Sequence, residues 1–345
     1  MINIVPLMDR IGERPTAALF GLITGTVFGV AAQRSRFCLR AATVEFARRT
    51  MSSSVAIRLL TFSTAVIWVQ GAAMLGLLRT EDARMMAVTG SWSGAIIGGL
   101  MFGVGMVLAS TGNLRTVMSG MLMAIVAQMS LHGYLADTRT WLASLWMTKG
   151  GTNVNLLTLV GLPEWFGLLL GLCTAVLALA RRSNLGARRL IFGSGVGFAV
   201  ALGWVLTFQL SQAAFAPVTV TSATFTGPSA NTLMFFLTSD PVLEFDVGLV
   251  PGVVIGAFAA SYLSGEFKFQ GYEGEAVMRR SMTGAVMMGF GGMLAGGCAI
   301  GAGVTGGSIF VATTWLALLC IWVGAIITDY LVDQPKGGSV AQPAE

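Results

Sequence analysis

Charge is the first thing that this sequence has little of. Only 11% of its 345 residues are Asp, Glu, Lys or Arg, whereas 54% are hydrophobic. A soluble domain carries roughly 25% charged residues, because its surface must face water. The composition therefore excludes a soluble globular fold and indicates a chain whose main solvent is lipid.

Histidine and cysteine are also scarce. The chain has one histidine, His132, and four cysteines at widely separated positions (Cys38, Cys173, Cys298 and Cys320). One histidine and dispersed carboxylates offer neither a Ser-His-Asp arrangement nor a zinc site, and four scattered thiols give no disulfide framework. We therefore expect no enzyme, no cofactor and no metal. Cys173 and Cys320 lie in apolar runs and are expected to be inert.

Long apolar runs, by contrast, are abundant. A spanning helix needs about 20 apolar residues, and such runs lie at approximately 17–33, 54–78, 94–111, 117–135, 157–180, 190–208, 247–264, 281–298 and 308–332. The sequence therefore predicts an all-α polytopic membrane protein, a single integral membrane domain (1–345) with about nine transmembrane helices. Two shorter apolar segments, near 141–147 and 231–237, are expected to be half-helices or interfacial pieces. Residues 334–345 are expected to form a disordered tail.

Basic residues lie in short connectors between these runs. Arg181, Arg182, Arg188 and Arg189 predict a cytoplasmic connector, and residues 34–58 are basic in the same way. No Lys or Arg occurs between 190 and 267, so residues near 209–245 are expected on the far side. This distribution is typical of a multi-pass protein of the inner (plasma) membrane, not of a nucleic-acid-binding face.

Small residues recur every fourth position in several runs, for example at Gly21, Gly25 and Gly29 and again at Gly248 and Gly252. Such stripes allow two helix backbones to approach closely.

An internal repeat relates two of the glycine-rich helices. Residues 98–109 align without gaps to 284–295, with identities at Gly98/Gly284, Gly103/Gly289, Gly105/Gly291, Leu108/Leu294 and Ala109/Ala295. Each helix then meets a break, which holds Gly112 and Asn113 in the first half (about 17–148) and Gly296, Gly297 and Cys298 in the second (about 188–333). Paired interrupted helices in corresponding halves point to the substrate site of a transporter.

The second break lies in a glycine-rich stretch, residues 289–308. Unwound chain inside a membrane is tolerated only where it is buried in protein or lines a cavity. We expect a helix to begin near Thr305 or Ser308, and free backbone N–H groups at a helix N-terminus favour an anion. The predicted substrate path therefore includes Cys298 and its neighbours Gly296, Gly297, Gly301, Gly303, Thr305 and Ser308.

A second chemistry-bearing segment follows the first helix. It contains Gln33, Arg34, Arg36 and Cys38. The arginines are most simply explained as cytoplasmic anchors, but a cysteine among cations is also a candidate functional thiol.

These two cysteine segments resemble the YeeE/YedE family of sulfur-compound transporters, which is characterised for thiosulfate uptake. The resemblance rests on Gln33-Arg34-Ser35-Arg36-Phe37-Cys38 and on residues 291–308 with their GGCAIG core, and it extends through the stretch from 264 to 284. It implies an hourglass-shaped bundle of two related halves with half-penetrating helices that meet at the centre. It also implies that Cys38 and Cys298 pass thiosulfate along by hydrogen bonds from their thiols. Family members usually carry a third cysteine in a first-half loop, and that cysteine is absent near Gly112.

The leading hypothesis is thus a transporter for thiosulfate or a related small sulfur anion, running through the Gly112/Asn113 and Cys298 constriction. Its expected partners are that anion, the lipid bilayer and a cytoplasmic sulfur-carrier protein. An alternative is a membrane sensor or partner subunit that has lost transport. A third hypothesis, an enzyme in which Cys298 accepts a persulfide, requires an activated thiolate.

Overall fold

The computed structural model describes residues 4–48, 53–109, 113–163, 165–180, 186–267 and 275–333, and most of these residues are helical. In chain order the first helices are α1 (Val5–Ile11), α2 (Glu13–Ser35), α3 (Leu39–Ala47), α4 (Ser53–Met74), α5 (Arg84–Ala87), α6 (Trp92–Leu108), α7 (Asn113–His132) and α8 (Ala136–Ser144). The others are α9 (Leu156–Val160), α10 (Trp165–Ala180), α11 (Ala187–Ala213), α12 (Thr226–Leu237), α13 (Phe245–Leu263), α14 (Glu275–Leu294) and α15 (Ala312–Thr328). Two short strands, β1 (Thr89–Ser91) and β2 (Met147–Thr152), pair in antiparallel fashion. The expected tail, 334–345, lies outside the described residues.

The all-α polytopic membrane fold is confirmed. Within the described part of the chain, five helices are long and apolar enough to cross a membrane, and they span Glu13–Ser35, Ser54–Met74, Ala187–Ala213, Phe245–Leu263 and Ala312–Val332. Three further apolar helices are shorter, at Trp92–Leu108, Met118–His132 and Trp165–Leu179. Each predicted apolar run thus contains a helix, and the total of about nine crossings stays a prediction.

The two ends of the bundle are marked by polar contacts. At the end where α2 begins, the Glu13 carboxylate accepts hydrogen bonds from the N–H groups of Phe215 and Ala216, at 2.8 and 3.1 Å. At the opposite end, where α2 and α13 stop, Arg36 forms an ion pair with Glu266 at 3.4 Å. We call these the outer end and the inner end, since the positive-inside rule predicts that the second faces the cytoplasm.

Helices α2 and α13 pack side by side through reciprocal glycines. Side chains at Gly21, Gly25 and Gly29 of α2 would meet backbone carbonyl oxygens of α13, and side chains at Gly248 and Gly252 would meet carbonyl oxygens of α2. Only residues without a Cβ permit such an approach, and small-residue interfaces of this kind drive helix association in lipid.

The repeated helices α6 and α14 cross each other in antiparallel orientation. A Cβ built at Gly98 would lie 2.5 Å from both the Gly291 oxygen and the Ala295 nitrogen. A Cβ at Gly284 would lie 2.6 Å from the Gly105 oxygen and the Ala109 nitrogen. The repeat alignment maps Gly98, Gly291 and Ala295 onto Gly284, Gly105 and Ala109, so the two sets of contacts are equivalent. A local two-fold axis therefore runs through this crossing.

The same two-fold relation extends to the neighbouring helices. Gly103 of α6 faces a carbonyl of α15 (Ile321), and its repeat partner Gly289 of α14 faces a carbonyl of α7 (Met123). The contact of α2 with α13 has its counterpart in the contact of α11 with α4, where Gly197 faces the Thr61 carbonyl, and each pair joins a helix of the first half to a helix of the second. The two sets of helices run in opposite directions, as in inverted-repeat transporters.

The segment after α11 does not stay on the far side as predicted. The Thr207 hydroxyl donates to the Thr221 carbonyl at 2.7 Å, and the Ser222 hydroxyl donates to the carbonyl of Val200, the middle residue of α11, at 2.5 Å. Residues 214–225 therefore run back along α11 to half its length, and α12 returns outward from there. The expected far-side exposure of 209–245 is wrong for this part. The predicted half-helix near 231–237 is confirmed as α12. Hydroxyl groups form hydrogen bonds with the backbone N–H and C=O groups of this extended segment, which lipid could not do.

Candidate functional site

The glycine-rich stretch after α14 folds into a buried plug between α14 and α15. The chain turns at Gly296, whose φ of +79° suits glycine. It then forms a wide π-helical turn, Gly301–Gly306, in which all six residues are buried. The expectation of an unwound chain across 289–308 is therefore wrong. Helix α14 continues to Leu294, and most of the residues after it, up to 308, are helical again. We call residues 295–311 the plug.

Cys298 lies in the plug, buried at 6% exposure. The Gly301 N–H donates to its sulfur at 3.3 Å, and the Thr224 hydroxyl lies 3.8 Å from it. Because the sulfur already accepts an N–H, the thiol hydrogen remains able to donate. The thiol hydrogen is therefore available for donation beside Thr224, which lies at the tip of residues 214–225, here called the re-entrant segment.

Thr305 and Ser308 hold the plug in place and do not cap a helix. The Thr305 hydroxyl donates to the Ala223 carbonyl, and the Ser308 hydroxyl donates to the Thr305 carbonyl at 2.8 Å. Helix α15 begins later, after Val311, without a side-chain cap. The predicted helix start at Thr305 or Ser308 is thus wrong.

A different helix, α12, directs its N-terminus to this place. It begins at Thr226, two residues after Thr224, at the depth that the re-entrant segment reaches. The Thr226 hydroxyl oxygen is buried and has no hydrogen-bond partner among the described residues. The first N–H groups of a helix and its positive dipole end attract anions, so this arrangement favours a negatively charged ligand.

A cavity of about 650 Å³ opens above this helix start, at the outer end of the bundle. Thr224, Gly227, Gly296 and Gly297 line it near the plug, and its walls carry three basic side chains (Arg84, His132 and Arg139) and two amides (Asn153 and Asn231). We call it the outer cavity. It brings the predicted path glycines Gly296 and Gly297 together with cationic residues that sequence reasoning missed.

Fixed contacts hold the two arginines of the outer cavity. Arg84 lies 3.7 Å from the buried Asp246 carboxylate, which also accepts a 2.9 Å hydrogen bond from Asn231. The Arg139 Nε donates to the Ser130 carbonyl at 2.8 Å. A signal for both was available, because the positive-inside rule disfavours arginine on the outer side and its presence there therefore indicates a role.

Cys38 is not brought into contact with Cys298. It is half-buried and precedes the short helix α3, whose N-terminus points into the bundle from the inner end as α12 does from the outer end. The neighbours of Cys38, Phe37 and Leu39, join Phe225 in the apolar cluster that also contains Cys298. The Phe225 ring packs against Phe28 at an interplanar angle of 57°, with 5.2 Å between ring centroids. An apolar barrier therefore separates the two thiols.

The remaining predicted residues are spread along the inner end. Gln33 and Arg34 lie in the last turn of α2, and Arg36 has a left-handed φ of 54° and an exposed ion pair with Glu266. These positions fit the anchoring interpretation. Gly112 lies outside the described residues, as does the side chain of Asn113.

Two further path glycines and one missed residue meet at the plug. A Cβ at Gly301 would lie 2.6 Å from the Thr224 hydroxyl, and a Cβ at Gly303 would lie 3.6 Å from Nη2 of Arg58. Arg58 was grouped with the basic connector, but the structure buries it inside α4 at 8% exposure. The signal was its position within an apolar run, since a charge inside a membrane span is a candidate functional residue.

Comparisons with known proteins find similarity over most of the chain. Residues 34–327 match a family model described as sulphur transport. The chain is 27% identical over 344 residues to the thiosulfate transporter TsuA of Escherichia coli (strain K12), covering 91% of this chain and 94% of the relative. It is 25% identical over 328 residues to the thiosulfate transporter TsuA of Spirochaeta thermophila, covering 88% of this chain and 96% of that relative.

Proposed function

Because the chain belongs to the sulphur transport family, we propose that it carries thiosulfate, or a related small sulfur anion, across the membrane. The observation that carries this proposal is the outer cavity, where two arginines, a helix N-terminus and the Thr224–Cys298 contact converge. The names of two relatives that match nearly the whole chain favour thiosulfate among such anions.

The proposed path starts at the outer cavity. Arg84 and Arg139 raise the local concentration of the anion, and the N–H groups at the start of α12 hold it beside Gly296 and Gly297. The Cys298 thiol then donates a hydrogen bond in place of water. Binding at each step is weak, because a permeant ion must also leave.

The inner part of the path leads to Cys38. Gly301 and Gly303 give the wide turn its close contacts, and Thr305 and Ser308 fix the turn. Passage requires the Phe225–Phe28 barrier to move. Gln33, Arg34 and Arg36 lie at the inner mouth as secondary residues, and Gly112 and Asn113 complete the constriction in the first half.

We place the protein in the inner (plasma) membrane, with a cytoplasmic sulfur-carrier protein as its receiving partner. An enzymatic role for Cys298 is less well supported, because its polar neighbours among the described residues are a threonine hydroxyl and a backbone amide. Neither can act as a general base.

One observation favours a second function, a membrane sensor or partner subunit. Only four residues connect α6 to α7, and none is a cysteine, whereas 17 residues connect α14 to α15. A protein that retained the outer cavity and lost part of the thiol path would bind the anion without carrying it.

Uptake of radiolabelled thiosulfate by vesicles containing the purified protein tests the proposal. We expect saturable uptake above that of protein-free vesicles, with competition by unlabelled thiosulfate. Binding without uptake would favour the sensor. Release of thiocyanate from thiosulfate and cyanide, together with rapid alkylation of Cys298, would favour a sulfur-transferring enzyme.

A further inference from the structure

Arg58 is a buried cation that the proposed path does not yet use. It lies in the first half of α4, and 8% of its surface is exposed. A guanidinium has five N–H donors, yet its one hydrogen bond within the described chain is a 3.4 Å contact from Nη1 to the Thr43 hydroxyl. Nowhere in the described ranges does a carboxylate come within ion-pair distance of it.

Such a charge is costly inside a membrane. A buried ion is normally paired, because the desolvation of an unpaired charge is only partly offset by weak contacts. The Trp322 ring lies 4.6 Å from the Arg58 guanidinium carbon and supplies a cation–π contact. That contact leaves most of the N–H groups of Arg58 without an acceptor in the part of the chain that the structure describes.

The surroundings of Arg58 connect the two cysteine segments. On one side Nη2 faces Gly303, in the wide turn that follows Cys298, and the lack of a side chain at Gly303 leaves that direction free of a Cβ. On the other side, Nη1 contacts the hydroxyl of Thr43 in α3, the helix that directly follows Cys38. Arg58 thus lies between the plug and the helix that Cys38 begins.

We infer that Arg58 is an internal anion site, which binds a doubly charged sulfur oxyanion between Cys298 and Cys38. The planar fork of an arginine matches two oxygens of such an anion, and a single ammonium does not reproduce that geometry. The bound anion supplies the missing acceptors and the missing countercharge. The inference deepens the proposed function, on which its transport role rests, whereas the binding site itself can be tested alone.

A purely structural role for Arg58 makes the opposite prediction for stability. If its stacking on Trp322 mainly supports the fold, replacement by an apolar residue lowers the unfolding temperature in the absence of anions. If Arg58 is kept for binding, removing the unpaired charge leaves that temperature equal or raises it, because functional sites often cost stability.

The experiment uses the purified full chain in detergent and compares wild type with Arg58→Met, Arg58→Lys and Arg279→Gln. Arg279 is the matched control, since its side chain is 77% exposed and pairs with Glu275 four residues earlier. Thermal unfolding is followed against sodium thiosulfate, and against sodium sulfate, at constant ionic strength held with sodium chloride. Uptake is measured on the same proteins in vesicles.

We expect Arg58→Met to unfold at or above the wild-type temperature without anion. Its half-saturating thiosulfate concentration should rise by roughly ten- to a hundredfold, as expected for a lost hydrogen bond to a charged group. Arg58→Lys should lie between the two, and Arg279→Gln should match wild type. Uptake should fall in the same order.

Two results would overturn the inference. The first is wild-type anion stabilisation and uptake in Arg58→Met. The second is a lower unfolding temperature for Arg58→Met without anion, together with an unchanged anion response in Arg58→Lys. If wild type moves no thiosulfate yet is stabilised by it through Arg58, the proposed transport fails and the site stands. If wild type transports and Arg58→Met transports equally well, the proposed transport stands and the anion site at Arg58 fails.

Discussion

The connections that follow the two repeated helices differ far more than the helices themselves. Helices α6 and α14 make equivalent contacts across a local two-fold axis, through Gly98 and Gly105 on one and Gly284 and Gly291 on the other. Yet α6 reaches α7 through four residues, whereas α14 reaches α15 through the 17-residue plug. The comparison teaches that the scaffold is symmetric and the chemistry is not.

The plug shows why the difference matters. It buries Cys298, bonds to the re-entrant segment through Thr305, and accepts a 2.6 Å hydrogen bond from the Gln70 side chain to the Ser308 carbonyl. The four-residue connection between α6 and α7 contains no cysteine. The second half alone therefore places a thiol beside the outer cavity, and three sets of variants test this difference.

The largest effect is expected at Cys298. Replacing it with alanine removes the donor beside Thr224, and a hydrogen bond to a charged group is worth about 1.5–3 kcal/mol. Thiosulfate uptake should therefore fall by roughly ten- to a hundredfold. Cys298→Ser keeps a donor of similar size and should retain more uptake than Cys298→Ala.

Two cysteines outside the path serve as controls for this change. Cys320 packs against Gly99 of α6, and Cys173 is exposed on α10. Cys320→Ala and Cys173→Ala should both transport nearly as well as wild type. Equal uptake by wild type and Cys298→Ala would show that the second half holds no functional thiol.

The symmetric side of the comparison predicts matched losses of stability. Gly98→Ala and Gly284→Ala each place a methyl group against the backbone of the partner helix, and overpacking of this kind costs about 1–3 kcal/mol. Because the two contacts are equivalent, the two variants should lower the unfolding temperature in detergent by similar amounts.

Gly120 in α7 is the control, since a Cβ there would meet nothing within 4 Å. Gly120→Ala should be neutral or stabilising by up to about 1 kcal/mol, because alanine favours a helix over glycine. A clear loss at Gly98 with none at Gly284 would contradict the two-fold relation.

The smallest effect is expected at the wall of the outer cavity. Arg139→Gln removes a partly exposed cation, and such charges contribute at most about 1 kcal/mol to an interaction. The half-saturating thiosulfate concentration for uptake should rise roughly three- to fivefold at low salt. The difference should shrink as salt is added, because screening weakens attraction at the surface.

The variant Arg279→Gln again provides the comparison, as an exposed arginine that lines no part of this cavity. The same shift in both variants would indicate a general effect of net charge. A shift in Arg139→Gln that ignores ionic strength would argue against electrostatic attraction by the cavity wall.

The sequence patterns predicted more of the helical scaffold than of the candidate site. Long apolar runs predicted the helices, and the glycine spacing predicted that α2 and α13 each pack closely on a neighbouring helix, because both patterns depend on residues close together in sequence. The re-entrant segment was missed because its threonines, serines and alanines show no periodicity. The outer cavity was missed because Arg84, His132 and Asn231 come from separate segments that only the fold unites. Arg58 was assigned to a basic connector because of its charge, although it lies within an apolar run.

The close pairing of α2 with α13 limits how the path can open. Backbone touches backbone along three successive turns, at Gly21, Gly25 and Gly29, so neither helix can slide or rotate against the other without a clash. A pair of helices fixed in this way moves as one rigid body. The displacement that lets an anion past Phe225 is then expected from elements outside this pair, namely the plug and the half-helices α3 and α12, while α2 and α13 stay fixed.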